Sequence, residues 1–144
     1  MKKQTVSSLK KKLDQVFSEY IRKRDCLDTT GSFDYGVCCT CGVTYPYKKL
    51  QCGHFQSRKA SLTRYHEKNT SAQCVGCNMF KAGEQYKFAQ YIDKKYGDGT
   101  ADLLQHLATE THQWKIFELE EMIETYKSKI KALEDSQGVF YLDP

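Results

Sequence analysis

Two pairs of cysteines, each with two residues between them, constrain the fold of this 144-residue chain more than any other feature. The first pair is Cys38 and Cys41, and the second pair is Cys74 and Cys77. Each pair can turn two thiolates toward one point, and two such turns complete a tetrahedral zinc site. We therefore expect a structural Zn²⁺ held by four cysteines. Buried free thiols, a redox pair and an iron–sulfur cluster are the alternatives.

The other three cysteines are expected to bind no metal. Cys39 lies inside the first pair and competes with Cys38, but the two-residue gap favours Cys38. Cys26 and Cys52 have no partner at ligand spacing and are predicted to be buried thiols. The odd total of seven, in a chain whose basic start is followed by no apolar stretch, predicts a reducing compartment, the cytoplasm of a bacterial host. Because the apolar runs are short, we expect no membrane partner.

Charge varies along the chain and suggests three parts. Residues 1–25 carry eight Lys or Arg against three Asp or Glu, and residues 26–98 carry ten against six. Residues 99–144 carry four against nine. We predict a basic N-terminal helix, a cysteine-rich core and a C-terminal helical extension. The first two parts are the expected contact surface for a polyanion, although a solvated lysine-rich surface is the alternative.

Hydrophobic periodicity predicts helices on both sides of the core. A helix over residues 6–21, capped by Thr5 or Ser7, buries an apolar stripe of Val6, Leu9, Leu13, Val16 and Tyr20. Shorter helices are predicted over 84–96 and 100–108, the second capped by Thr100. A long helix over about 111–135 has a narrow heptad-like seam. That seam needs a partner, which is either the N-terminal helix or a second copy of the chain, and the latter would make a homodimer.

Short strands are predicted within the core. Residues Val43–Tyr47 and Lys49–Phe55 are expected to be two strands joined by a turn, and Thr70–Gln73 to be a third. A helix is expected to begin near Cys77. The chain is therefore predicted to be α+β, with a small strand-containing core embedded in a mainly helical domain.

Three polar residues stand beside the cysteine pairs. His54 lies at the end of a predicted strand, where a histidine can act as a general base on water. Asn78 directly follows Cys77 at a helix start, where an amide oxygen can bind a hard divalent cation beside a phosphate. Asn69 can tie down the loop that holds the histidine. Taken singly, each is also compatible with a satisfied structural polar residue.

The order of these features resembles the HNH, or ββα-metal, nuclease finger in its His–Asn–Asn form. The residues Cys52-Gly53-His54-Phe55-Gln56-Ser57-Arg58, Thr63-Arg64-Tyr65, Asn69, Gln73-Cys74, Cys77-Asn78 and Gly83 look like the phage NinG recombination proteins. The similarity covers roughly residues 10–130. The finger is also similar to that of the phage resolvase endonuclease VII, where an Asn again follows the last zinc cysteine. One departure is Gly53, because many members of the wider superfamily have Asp before the histidine.

The resemblance implies an endonuclease that cuts branched DNA, including Holliday junctions and D-loops, during phage recombination. It implies His54 as the base, Asn69 as the residue that orients its loop, and Asn78 as a ligand of catalytic Mg²⁺ or Mn²⁺. Arg58, Lys59 and Arg64 are expected to hold phosphates. Asp25, Glu67 and Glu84 are candidates for a further metal ligand. The alternative is a non-catalytic zinc module that binds nucleic acid, and we find no sequence-reading domain typical of restriction or homing enzymes.

Overall fold

The computed structural model describes residues 4–142, with side chains to residue 137. The described residues form four α-helices: α1 (Val6–Thr30), α2 (Gln85–Tyr96), α3 (Thr100–Leu107) and α4 (Ile116–Leu142). They also form four short strands: β1 (Tyr35–Val37), β2 (Thr44–Pro46), β3 (Leu50–His54) and β4 (Thr70–Cys74). The prediction of an α+β, mainly helical chain is confirmed, and the described strands form two small antiparallel pairs. Among the described residues, none of the helices combines the length and apolar character that a membrane span requires.

Helices α1 and α4 pack against each other and form the largest core. Leu9, Leu13, Phe17 and Ile21 of α1 are buried, as are Leu119, Ile123 and Tyr126 of α4. Phe17 meets Tyr126 edge-on at 4.9 Å between ring centroids, and Lys23 pairs with Glu134 at 2.7 Å. The N-terminal helix is thus the partner of the α4 seam, and the two helices run in the same direction. A homodimer through the helical segments stays a prediction.

The strands pair differently from the expected hairpin. We predicted that Val43–Tyr47 and Lys49–Phe55 would pair through a turn, but this is wrong: β2 pairs with β1, and β3 pairs with β4. In the second pair Leu50 lies opposite Cys74, and His54 lies opposite Thr70. Leu50 and Ala72 are buried against Cys26 of α1. All five residues of β4 are buried, whereas β2 is exposed at both ends, so β4 is the strand that belongs in the core beside β3.

Several element boundaries also differ from the predictions. Helix α1 continues past residue 21 to Thr30, because Asp25 and Cys26 bury a further turn against the strands. Helix α3 has Gly99 as its N-cap, while the Thr100 hydroxyl donates to the Gly97 carbonyl. Helix α4 covers Ile116–Leu142, so it begins and ends later than the predicted 111–135. The helix expected near Cys77 is a short turn of π-helix, Gly76–Phe80.

Asp25 anchors α1 to β4. Its carboxylate, only 2% exposed, accepts hydrogen bonds from the Ser71 hydroxyl at 2.6 Å and the Ala72 amide at 2.7 Å. Burial alone would raise the pKa of Asp25, but Arg24 and Lys95 nearby outweigh burial and hold the pKa below its usual value. The pair β3–β4 is therefore fixed on the helical core by a charged and fully hydrogen-bonded contact.

Candidate metal centre and active-site cleft

Four cysteine thiols meet where β1 and β4 end and β2 begins. The sulfur atoms of Cys38, Cys41, Cys74 and Cys77 all lie within 4.8 Å of one another, and all four are free thiols. The sulfurs of Cys41 and Cys74 are 3.9 Å apart. A tetrahedral zinc with Zn–S bonds of about 2.3 Å separates its thiolates by about 3.8 Å. The donor set and its spacing therefore fit one zinc ion.

Backbone geometry turns these thiols inward. The Gly42 amide donates to the Cys38 carbonyl at 3.0 Å, and Gly42 has φ of +74°, a conformation that glycine adopts without strain. The Cys77 amide points at the Cys74 sulfur at 3.4 Å. The remaining thiols are placed elsewhere, because Cys39 packs against the apolar cluster of α2 and α3, and both Cys26 and Cys52 are buried in apolar clusters. The predicted choice of Cys38 over Cys39 agrees with this placement.

His54 ends β3 and is held in one orientation. Its Nε2 lies 3.0 Å from the carbonyl oxygen of Arg64. Because a carbonyl only accepts, Nε2 carries the proton and Nδ1 keeps the lone pair. Burial and then the nearby positive charge of Arg58 lower the pKa of His54 to about 4. The imidazole is therefore neutral at pH 7, the state that a general base requires.

Asn69 braces the loop that follows His54. Its side chain is completely buried, and its Oδ1 accepts from the Gln56 amide at 2.7 Å. Its Nδ2 donates to the carbonyls of Gln56 at 3.0 Å and Thr63 at 3.1 Å. Asn69 thus ties both ends of the segment between residues 56 and 63 to the start of β4. It does not itself line the cleft that contains His54.

Asn78 faces β3 from the π-helical turn. Its Nδ2 donates to Oε1 of Gln51 at 2.7 Å, which leaves Oδ1 of Asn78 as a possible ligand atom. Gln51 and Gln73 are opposite each other across β3 and β4, so both lie on the face of the strand pair that this turn covers. Sequence reasoning did not identify Gln51, because its position in a strand carries no chemical signature of its own.

One cleft of about 690 Å³ brings several predicted residues together. It contains His54, Asn78, Arg58 and Lys59, and also Arg22 of α1, which sequence analysis had not assigned to the site. The charge of Arg22 was visible in the sequence, but its place beside the cleft follows only from the packing of α1. Within the described residues, no carboxylate pairs with Arg58 or Lys59, so both cations are available to an anion. The cleft runs along the edge of β3 that no other described strand covers.

Arg64, the third predicted phosphate contact, is engaged inside the protein. Its guanidinium forms two hydrogen bonds with the carboxylate of Asp14, at 3.2 and 2.5 Å. The pKa of Arg64 is raised, first by this hydrogen bond. The carbonyl of Arg64 also accepts the hydrogen bond from His54. The ion pair with Asp14 therefore links the position of His54 to helix α1. A phosphate contact by Arg64 stays a prediction.

Gly53 is explained by the side chain that covers it. A Cβ atom at Gly53 would lie 2.2 Å from Oε1 and 3.0 Å from Cβ of Gln73. Gln73 is buried and donates through Nε2 to the Thr40 hydroxyl at 3.0 Å and the Gly83 carbonyl at 2.8 Å. Its Oε1 has no hydrogen-bond partner among the described groups and lies over Gly53. An aspartate therefore has no room at position 53 while Gln73 is in place.

The carboxylates that were candidates for a further metal ligand lie outside the cleft. The carboxylate of Asp25 in α1 accepts hydrogen bonds from Ser71 and Ala72 of β4. Glu67 pairs with Lys129 at 2.6 Å and accepts from the Tyr126 hydroxyl at 3.1 Å, and Glu84 lies 3.9 Å from Lys87. None of the described residues that line the cleft is an aspartate or a glutamate. Any ion bound there would rely on amide oxygens, water and the oxygens of its ligand.

Comparison with known proteins gives one family. The family described as Bacteriophage Lambda NinG protein matches residues 1–136. The protein ninG of Salmonella phage P22 is 27% identical over 129 residues, which are 89% of this chain and 59% of that protein. The protein ninG of Escherichia phage lambda is also 27% identical over 129 residues, 89% of this chain and 58% of the relative. The chain thus spans less than two thirds of the length of these relatives. No solved structure gives a significant match.

Proposed function

The chain belongs to the phage lambda NinG family, and from this premise we propose that it is a metal-dependent endonuclease that cuts branched DNA recombination intermediates. The observation that carries the proposal is one cleft in which a neutral His54, the Asn78 amide and two cations that no described carboxylate pairs with lie together. A histidine at the end of one of two antiparallel strands, followed by a helical turn with an asparagine, is the arrangement an HNH finger requires.

In the proposed reaction, Nδ1 of His54 removes a proton from water as that water attacks the scissile phosphorus. The hydrogen bond from Nε2 to the Arg64 carbonyl keeps Nδ1 directed at the water and accommodates the imidazolium that forms. Asn69 is a positioning residue, since it holds the loop between His54 and Arg64 through three hydrogen bonds. The ion pair between Arg64 and Asp14 of α1 also positions this loop, at its Arg64 end.

Two kinds of metal belong to the proposal. The four cysteines would hold a structural Zn²⁺, which leaves no open coordination position for substrate. Asn78 Oδ1, together with phosphate oxygens and water, would hold Mg²⁺ or Mn²⁺, which when bound stabilises charge on the phosphate and on the leaving oxygen. Gln51 orients Asn78 for this purpose by taking its Nδ2 hydrogen bond.

Arg58, Lys59 and Arg22 are proposed to bind the DNA backbone. They line the cleft that contains His54, so phosphates held by them would lie beside the reacting one. The guanidinium of Arg22 also lies over the Tyr47 ring, 4.6 Å from its centroid. This cation–π contact orients the Arg22 side chain. Two lysines of the acidic helix α4 are instead paired, since Lys127 lies 3.7 Å from Glu124 and Lys129 lies 2.6 Å from Glu67.

The test is the cleavage of a labelled four-way junction with and without Mg²⁺. We expect product only with the metal, and we expect His54→Ala to bind the junction like the parent but to cut it at least ~10²-fold more slowly. His54→Ala retains the described zinc ligands, so an unchanged zinc content serves as the folding control. Cleavage by His54→Ala at nearly the parental rate would contradict the assignment of the base.

A second function is favoured by the absence of aspartate and glutamate from the described cleft lining. A metal site without a carboxylate is weak, which is compatible with a zinc module that binds branched DNA and does not cut it. The same experiment separates the two functions. Binding of the junction with and without Mg²⁺, and product in neither case, would favour the binding module.

A further inference from the structure

Beside the cleft, the chain presents large apolar side chains to solvent. Phe80 is 83% exposed, Tyr86 is 77% exposed and Met79 is 63% exposed, and Met79 also lines the cleft. Phe80 and Tyr86 are the two most exposed aromatic side chains in the described part of the protein. Single exposed apolar residues are common, but three within eight residues at the mouth of a cleft indicate a binding surface. We refer to Met79, Phe80 and Tyr86 as the apolar tip.

The backbone beneath the apolar tip is held in a strained conformation. Ala82 and Glu84 have φ of +52° and +50°, which side chains other than glycine rarely adopt. The turn is closed by hydrogen bonds from the Gly83 amide to the Cys77 carbonyl at 2.9 Å and from the Glu84 amide to the Lys81 carbonyl at 3.0 Å. Gln73, buried below, donates to the Gly83 carbonyl. Strain that several contacts maintain is typical of functional sites.

The surroundings of the apolar tip are basic. Lys81 lies within the turn and Lys87 in the first turn of α2, and both are exposed. The cations of the neighbouring cleft add to this positive surface, whereas Glu84 is the carboxylate in the turn and lies 3.9 Å from Lys87. A partner that fits must therefore be polyanionic and must also offer flat apolar surfaces. Nucleic acid with unstacked bases has both properties.

From this combination we propose that the apolar tip stacks on bases exposed at the branch point of a DNA junction. In a continuous duplex each base face is covered by its neighbours, whereas a branch point leaves faces accessible. Phe80, the most exposed of the three, would supply the main stacking surface, and Met79 would extend the contact to the cleft. The apolar tip would thus discriminate branched DNA from linear duplex and place the branch next to His54, an inference that rests on the proposed DNA-binding function.

The test measures binding separately from cleavage. In a His54→Ala background without added Mg²⁺, fluorescence anisotropy gives the Kd for a four-way junction and for a linear duplex of the same sequence. Phe80→Ala should raise the Kd for the junction at least about fivefold, since alanine substitution of a stacking aromatic residue typically has this effect or a larger one. The Kd for the duplex should change less than about twofold, because the phosphate contacts remain.

Two further variants make the comparison specific. Phe80→Trp retains a flat ring and should bind the junction like the parent. Phe117→Ala is the matched control, because Phe117 is 65% exposed on α4 and does not line the cleft. Phe117→Ala should alter neither Kd. Zinc content, measured for every variant, verifies that the four-cysteine cluster is intact.

Four other outcomes would contradict the inference, and they can be told apart. If Phe80→Ala leaves both Kd values unchanged while Arg58→Ala raises both, the apolar tip has no part in binding and the proposed function stands. An equal loss on junction and duplex would mean that the tip does not recognise the branch. A dimer in sedimentation velocity that Phe80→Ala converts to a monomer would identify the tip as an interface between copies. If the parent binds neither DNA, the inference and the proposed function both fail.

Discussion

The histidine of the cleft should make stability depend on pH in a way that can be calculated. The pKa of His54 is lowered to about 4 in the folded protein, by burial first and then by Arg58. In the unfolded chain the pKa returns to about 6.5. Between these two values the unfolded state binds more protons than the folded state, so stability rises with pH. The contribution is fully present above pH 6.5 and is lost as the pH falls toward 4.

The size of the effect follows from the two pKa values. Each pKa unit corresponds to about 1.4 kcal/mol, so His54 should lower the free energy of unfolding by roughly 2 kcal/mol between pH 7 and pH 5. This is a large share of the stability of a small domain. Other groups also titrate in this range, and the prediction therefore concerns the difference between the parent and His54→Gln, which has no imidazole.

The assay is urea unfolding of both proteins, with zinc present, at several values of pH between 5 and 7. The free energy of unfolding of the parent should fall by roughly 2 kcal/mol more than that of His54→Gln. Parallel pH profiles for the two proteins would refute the assignment of a partly buried, neutral His54. The pH profile of kcat/KM, which reports the free enzyme, should likewise show no acid limb near 6.5 if the protein cuts DNA.

Three further changes test other parts of the molecule. Cys74→Ser removes one thiol of the four-cysteine cluster and should abolish stoichiometric zinc binding, as measured by metal analysis. It should also increase sensitivity to protease in limited trypsin digestion. Soluble, zinc-loaded Cys74→Ser would contradict the zinc assignment. Gly53→Asp should lower the free energy of unfolding by about 2 kcal/mol or more, because the new side chain collides with the buried Gln73, and Gln73→Ala should restore part of the loss in a double-mutant cycle in urea. Asn78→Ala should reduce junction cleavage at low Mn²⁺ but recover partly as Mn²⁺ is raised, whereas no Mn²⁺ concentration should rescue His54→Ala; equal rescue of both variants would contradict the separate roles of metal ligand and base.

The four-cysteine cluster and the helix ends that were predicted correctly depend on short-range patterns in the sequence. The two-residue spacing of the cysteine pairs encodes turns that are complete within a few residues, so the cluster of Cys38, Cys41, Cys74 and Cys77 was identifiable. The apolar period of residues 6–21 likewise needs only the geometry of a helix. Thr5 caps that helix and Gly97 ends α2, both through contacts within a few residues. These features depend on neighbours in the chain, which a sequence displays directly.

Contacts between distant residues decided what the sequence left open. The pairing of β3 with β4 places Leu50 and Ala72 together against Cys26 of α1, and the ion pair of Arg64 is formed with Asp14, which is 50 residues away. Gln73 explains Gly53 only because the two strands lie side by side. Such partners are selected by burial and by the need to satisfy buried polar groups, and both are properties of the packed molecule. The amino-acid sequence alone therefore determined the four-cysteine cluster and the main helices, whereas tertiary packing decided which charged side chains remain available to an anion.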